Sequence, residues 1–364
     1  MSYKHTGKIL INGAVDQARI VTNKSELIVS PEDDGLHITK FNIGDFEWWY
    51  FDFIDRSSEC FIKIVIHIGT DPLKTKIYPQ LALSINTPER SESITVQYEI
   101  DDIVADTNRC NISIKNEVSI WTKDDIQAEY FVKVKIPKFH CDLHFTGEIE
   151  GWKPMGNEVE HQIGKKKGFF AWTIPMPKAK VDGTFIYRYE KYNVNGAIGY
   201  HDHNYNKVHK RNPLYLDELV TRWYWGKCYA NRFTVIFMDT VCKTNRTLSL
   251  MVAEYNKIIH SSNNRIEFSV TSTSYDSILK TDSPSSLIIK STDADFPFEA
   301  EFIFDKMLDS KDLLEEINPL LKWIIKKMVA KPVYYGVLAQ TKIKIYNKKF
   351  DGFGNYELMV FRNR

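Results

Sequence analysis

Phe61-Ile62-Lys63-Ile64-Val65-Ile66-His67-Ile68 decides the fold class. Isoleucine fills all four even positions, while Lys63 and His67 interrupt the odd ones. A period of two built from β-branched residues is a strand with one wholly apolar face; a helix would throw alternate isoleucines to opposite sides. The same signature repeats outward. Leu81–Ile85, Ser93–Ile100, Asn111–Trp121, Tyr130–Ile136 and Cys141–Ile149 read as strands separated by turn-prone stretches. A second series follows: Thr184–Tyr189, Ala197–Tyr200, Trp223–Cys228, Phe233–Asp239, Leu248–Tyr255, Arg265–Thr271, Ser286–Ser291 and Phe298–Phe304, then Gly336–Tyr346 and Tyr356–Phe361. Many short strands at regular spacing predict an all-β sandwich or barrel.

Between the two series, Gly151–Lys180 carries four glycines, three prolines and the basic run Lys165–Lys167. Such density reads as a linker and divides the chain into 1–177 and 178–364. A length of 364 residues, at about 150 per domain, agrees with two domains. One helix is expected over Lys311–Val329, where Leu313, Leu314, Ile317, Leu320, Leu321, Ile324, Ile325 and Met328 recur at helical spacing. The motif Trp48-Trp49-Tyr50-Phe51 in the first half is echoed by Trp223-Tyr224-Trp225-Gly226 in the second, as two similar barrels in tandem would produce.

Composition narrows the partners. With 48 basic and 47 acidic residues the net charge is +1, so nucleic acid is not expected as a partner. No apolar run approaches the ~18 residues of a membrane span; contact with a membrane surface is left open, as is the oligomeric state. Five scattered cysteines (Cys60, Cys110, Cys141, Cys228, Cys242) include no C-x-x-C pair. That pattern argues against a cysteine zinc site and a disulfide scaffold, and fits a reducing, cytoplasmic compartment. The 48 aromatic residues (8 Trp, 19 Tyr, 21 Phe) suit a β-rich fold or a pocket for a large apolar ligand.

The densest polar cluster is Tyr200-His201-Asp202-His203-Asn204. On a strand, Tyr200, Asp202 and Asn204 share one face, and His201 and His203 the other. Three chemistries are open to it: Asp202 as a general acid in an apolar site; His201 and His203 as metal ligands, with His161, His209 or Glu190 as third partner; or a structural network. No convincing third ligand stands out, so neither metal nor cofactor is expected. Two aromatic clusters complete the candidate site. Glu47, Trp48, Trp49 and Tyr50 form one, and Trp223, Tyr224, Trp225 and Lys227 the other. Ring walls of this kind bind apolar ligands or face a carbocation.

These three clusters, in this order, resemble the carotenoid 1,2-hydratase family and its two-domain, lipocalin-like relatives, which include fungal hydratases and Diels–Alderases of polyketide pathways. The resemblance implies two tandem lipocalin-like β-barrels and a lipophilic isoprenoid or polyene substrate. It also implies a hydro-lyase or cyclase reaction at a carbon–carbon double bond, with Asp202 at the position of the acid. Two departures stand out: Asn206 where the family commonly has Gly, and Lys227 where it commonly has Arg. The alternatives within and outside the fold are a pericyclase and a non-catalytic lipophile carrier.

Overall fold

The computed structural model describes residues 29–71, 74–123, 129–154, 156, 158–243, 245–314 and 332–361. The chain divides into two units between Tyr215 and Leu216.

The first unit is one antiparallel sheet. Its strands are β1 (Phe46–Asp55), β2 (Cys60–Thr70), β3 (Ile77–Asn86), β4 (Ser91–Gln97), β5 (Ile103–Ala105) and β6 (Asn111–Ile114). They continue with β7 (Val118–Thr122), β8 (Glu129–Ile136), β9 (Phe139–Gly147), β10 (Val159–Ile163), β11 (Lys166–Tyr187) and β12 (Glu190–Val208). The spatial order is β4-β3-β2-β1-β12-β11-β9-β8-β7-β6-β5, with β10 also on β11. The isoleucines that announced β2 (Ile62, Ile64, Ile66 and Ile68) are all buried in the core with Trp49, Phe51 and Phe53.

The second unit holds a short helix α1 (Leu216–Leu219) and strands β13 (Val220–Ala230), β14 (Phe233–Cys242), β15 (Arg246–Glu254) and β16 (Lys257–Ser262). It goes on through β17 (Ile266–Asp276), β18 (Thr281–Ser291), β19 (Phe298–Asp312), β20 (Val333–Ile345) and β21 (Lys348–Val360). Their order is β16-β15-β14-β13-β21-β20-β19-β18-β17, around a core that includes Tyr224, Phe237, Phe302, Tyr335 and Tyr356. Both sheets are curled half-barrels. In each, the first strand pairs with the last, β1 with β12 and β13 with β21. The Trp-rich motifs sit on β1 and β13, so the echo between them marks topologically equivalent strands.

The stretch expected to be a linker is largely strand. Residue 178 falls inside β11, which is 22 residues long. Pro175 and Pro177 are tolerated because the β11–β12 pairing slips register between Thr173 and Met176 and again between Met176 and Ala179; a bulge absorbs the missing N–H of each proline. The first sheet therefore runs on to Val208, and the division between units lies beyond it. Of the expected helix, Lys311 and Asp312 end β19, and residues 315–331 lie outside the described residues.

Candidate active site

β1 lies between β2 and β12, and its register assembles the site. Trp48 stands opposite Asn204, Tyr50 opposite Asp202 and Asp52 opposite Tyr200. Asp52 also faces Lys63 on β2, and Trp172 on β11 faces Asn204. Residues directly opposite across an antiparallel pair share a face. One face of the sheet, turned away from the unit's own core, therefore carries Trp48, Tyr50, Asp52, Lys63, Trp172, Tyr200, Asp202 and Asn204.

Apart from half-buried Trp48, this face is buried: Asp202 is 5% exposed, Asp52 1% and Tyr200 fully covered. Three donors converge on Asp202. The Tyr200 hydroxyl donates to Oδ2 at 2.8 Å, the Trp172 indole N–H to the same oxygen at 3.2 Å, and the Asn204 amide to Oδ1 at 2.8 Å. Burial penalises a carboxylate, whereas donors aimed at it stabilise the charge. Of the three, only the Tyr200 hydroxyl can reverse and accept a proton from Asp202, since indole and amide nitrogens only donate. Beside this cluster the Tyr50 hydroxyl donates to Asp52 Oδ2 at 2.8 Å, and the two tyrosine rings meet edge-on at 6.0 Å. Trp152 packs edge-on against Trp172 at 5.8 Å.

His201 and His203 project from the other face of β12. His201 holds the Tyr50 carbonyl with Nδ1 at 2.9 Å and Asp34 with Nε2 at 3.0 Å. Its ring lies flat on Phe51 at 3.8 Å. Tyr130 donates to the same Asp34 carboxylate at 2.6 Å, and burial with that neighbour pushes the Tyr130 hydroxyl up. His203 meets the Asp33 carbonyl at 3.2 Å and Glu47 Oε1 at 2.9 Å. Burial alone would raise the Glu47 carboxyl, but hydrogen bonds from the His203 ring and from the His37 main-chain N–H, which meets Oε1 at 2.7 Å, outweigh it and lower it to about 2; the Ile38 main-chain N–H meets Oε2 at 2.9 Å. Trp49 stacks on His203 at 4.6 Å and donates to the Asp34 carbonyl at 2.9 Å. Glu47 and Trp49 thus serve the interior, because parity places them opposite Trp48 and Tyr50. Gly199 is required in this motif: a Cβ there would lie 2.4 Å from Val181 Cγ2 and 2.9 Å from the Phe145 ring. Asn206, the departure from the family pattern, is buried and donates to the Gly44 carbonyl at 3.3 Å, tying β12 to the turn before β1.

In the second unit, Tyr224 joins the core against Phe268 at 4.9 Å. Trp223, Trp225 and Lys227 alternate to the other face of β13. Lys227 is fully buried, its Nζ 5.0 Å from the centre of the Trp225 ring. Sequence reading missed Asp52, Trp172, Asp34, Tyr130 and His37. Asp52 alone had a local signal, standing two residues from Tyr50 as Asp202 stands from Tyr200. The partners of the histidines are Asp34 and Glu47, not His161, His209 or Glu190; Glu190 is exposed and takes a hydrogen bond from Tyr192 at 2.8 Å.

Comparison with known proteins places the fold. The chain is built as the lipocalin-like hydratases and their relatives are, as two tandem lipocalin-like barrels. CghA, solved with Sch210972, superposes with a TM-score of 0.59 at 10% identity, covering 92% of this chain and 96% of its own. Kievitone hydratase from Nectria haematococca superposes with a TM-score of 0.56 at 13% identity over 92% of this chain and 99% of that one. An AttH-like protein from Nitrosomonas europaea gives 0.59 at 11% identity, over 90% and 98%. In sequence, hydroxyneurosporene dehydrogenase of Chlorobaculum tepidum is 23% identical over 236 residues, 53% of this chain; the match spans about half of that relative's length, 56%. No family model matches. Among the described residues no helix is long and apolar enough to cross a membrane.

Proposed function

We propose that the protein is a hydratase or proton-initiated cyclase acting on a carbon–carbon double bond of a lipophilic isoprenoid or polyene, with Asp202 as proton donor. The observation that carries this reading is the convergence of Tyr200, Trp172 and Asn204 on a buried carboxyl group beside aromatic rings. An isolated alkene is a very weak base, so its acid must become a well-stabilised carboxylate as the proton leaves. Three fixed donors do that without solvent reorganisation. The Asp202 proton passes to one alkene carbon, leaving a carbocation and the carboxylate. Water, or an internal alkene or hydroxyl, then captures the cation, and the proton released returns to Asp202. Trp48, Tyr50 and Trp172 supply ring faces to the cation. Asp52, which accepts from the Tyr50 hydroxyl on the same face, is the carboxylate proposed to orient the attacking water. Two relatives lend support: a structural neighbour named as a hydratase and a sequence relative named hydroxyneurosporene dehydrogenase.

A pericyclase is the second reading, favoured by the fold shared with CghA, which was solved with Sch210972. It needs only a shaped apolar site and one hydrogen bond to a carbonyl, which Tyr200 could give. Turnover in heavy water with a panel of acyclic polyenes and terpenoids separates the readings. The proposal expects one solvent deuterium in a new C–H bond of the product; turnover without label supports a pericyclase, and binding without turnover a carrier.

A further inference from the structure

We propose that His37, Glu47 and His203 form a binding site for a single divalent transition-metal ion of the zinc or cobalt(II) type. It lies on the face of β12 opposite Asp202 and does not depend on the function proposed above. Its ligands come from three places in the chain: the segment before β1, β1 itself and β12. The ion would pin them together.

The geometry fits. His203 Nε2 lies 2.9 Å and His37 Nδ1 3.4 Å from Glu47 Oε1, and the three ligand atoms all fall within 4.8 Å of one another. An ion about 2.0–2.2 Å from each would subtend nitrogen–metal–oxygen angles of roughly 90° and 110°.

Hydrogen-bond accounting points to a cation there. His203 sits between two acceptors, the Asp33 carbonyl at Nδ1 and the Glu47 carboxylate at Nε2. With hydrogen on Nδ1, Nε2 turns a lone pair toward a carboxylate, and a positive charge must lie between them. An imidazole whose other nitrogen bonds a backbone carbonyl is the usual outer arrangement of a metal-bound histidine. A proton would serve at that point for His203 alone. The Nδ1 of His37 is also buried, close to the same oxygen, and has no hydrogen-bond partner. The Glu47 carboxylate already accepts the main-chain N–H groups of His37 and Ile38; what one metal ion adds, and one proton cannot, is a partner for both imidazoles at once. The His37 ring is held flat against Tyr205 at 4.2 Å, and its side chain is 21% exposed, which gives an ion a way in.

The neighbouring set Asp34, Cys110 and His201 also clusters but suits a metal less well. All three are buried, with no partly exposed ligand such as His37 to admit an ion, and burial with Asp34 pushes the Cys110 thiol well up. A thiol must lose its proton before it can ligate.

The test is titration of the full chain, stripped with a chelator and desalted, with cobalt(II) and zinc chloride. It is followed by calorimetry and visible absorption. One equivalent of cobalt should bind and give ligand-field bands of a low-coordinate site, and zinc should displace it ion for ion, bleaching those bands. His37→Gln should weaken binding by more than the about 10–100-fold typical of losing an outer partner, with an unchanged circular dichroism spectrum; Asp202→Asn should bind as wild type does. Absence of stoichiometric binding by the wild type, or equal binding by folded His37→Gln, would overturn the site.

Discussion

Asp34→Ala should be among the most damaging single substitutions in the first unit. Asp34 is 2% exposed and accepts from His201 Nε2 at 3.0 Å and from Tyr130 Oη at 2.6 Å. Both donors are themselves buried, so truncation leaves two polar groups without an acceptor and without water. At about 1–3 kcal/mol for each orphaned group, and in line with breaking a buried pair, the cost is about 3–5 kcal/mol. For a unit of this size each kcal/mol lowers the melting temperature by about 2–4 °C, so the drop should be about 6–20 °C. Asp34→Asn keeps one acceptor oxygen and should fall roughly midway. Differential scanning calorimetry and urea melts of Asp34→Ala, Asp34→Asn, Tyr130→Phe and the double variant Asp34→Asn/Tyr130→Phe give the values directly. The last three should show a coupling of about 0.5–3 kcal/mol. An Asp34→Ala protein that loses less than about 1 kcal/mol would refute the view that this network anchors the segment before β1 to the barrel interior.

Trp172→Phe keeps the ring but deletes the N–H that meets Asp202. Turnover should fall by up to about 10²–10³-fold, the range for one donor at a developing charge, with stability little changed; a full-rate variant would remove Trp172 from the machinery. Burial lowers His67 and His161 to about 4 from 6.5. Each group is neutral in the folded chain where the unfolded chain would be protonated. Their contribution is therefore complete above about pH 6.5 and lost as pH falls toward 4. Because both rings are partly exposed, about 1–2 kcal/mol each is expected, and His67→Gln should flatten the pH dependence of urea stability over that window.

Strand alternation made most of the fold legible. The isoleucines of β2 mark the core face, and parity alone separates Asp202 from its flanking histidines. The linker reading failed because glycine and proline density signals irregular backbone without saying whether it is a loop or a bulged strand; at Pro175 and Pro177 it is the latter. The rest of the site is a matter of register. His201 meets Asp34 across 167 positions and His203 meets Glu47 across 156. Nothing local in either segment specifies that pairing, and Trp172 becomes relevant only because β11 lies beside β12.

Asp202→Asn tests the central claim most directly. The amide fills the same volume and can still donate a hydrogen bond, but it cannot deliver a proton. Turnover of the responsive polyene should be lost almost entirely, while a thermal melt shows the variant folded. Turnover near the wild-type rate by a folded Asp202→Asn protein would contradict the general-acid role and move the reaction to cavity-driven cyclisation.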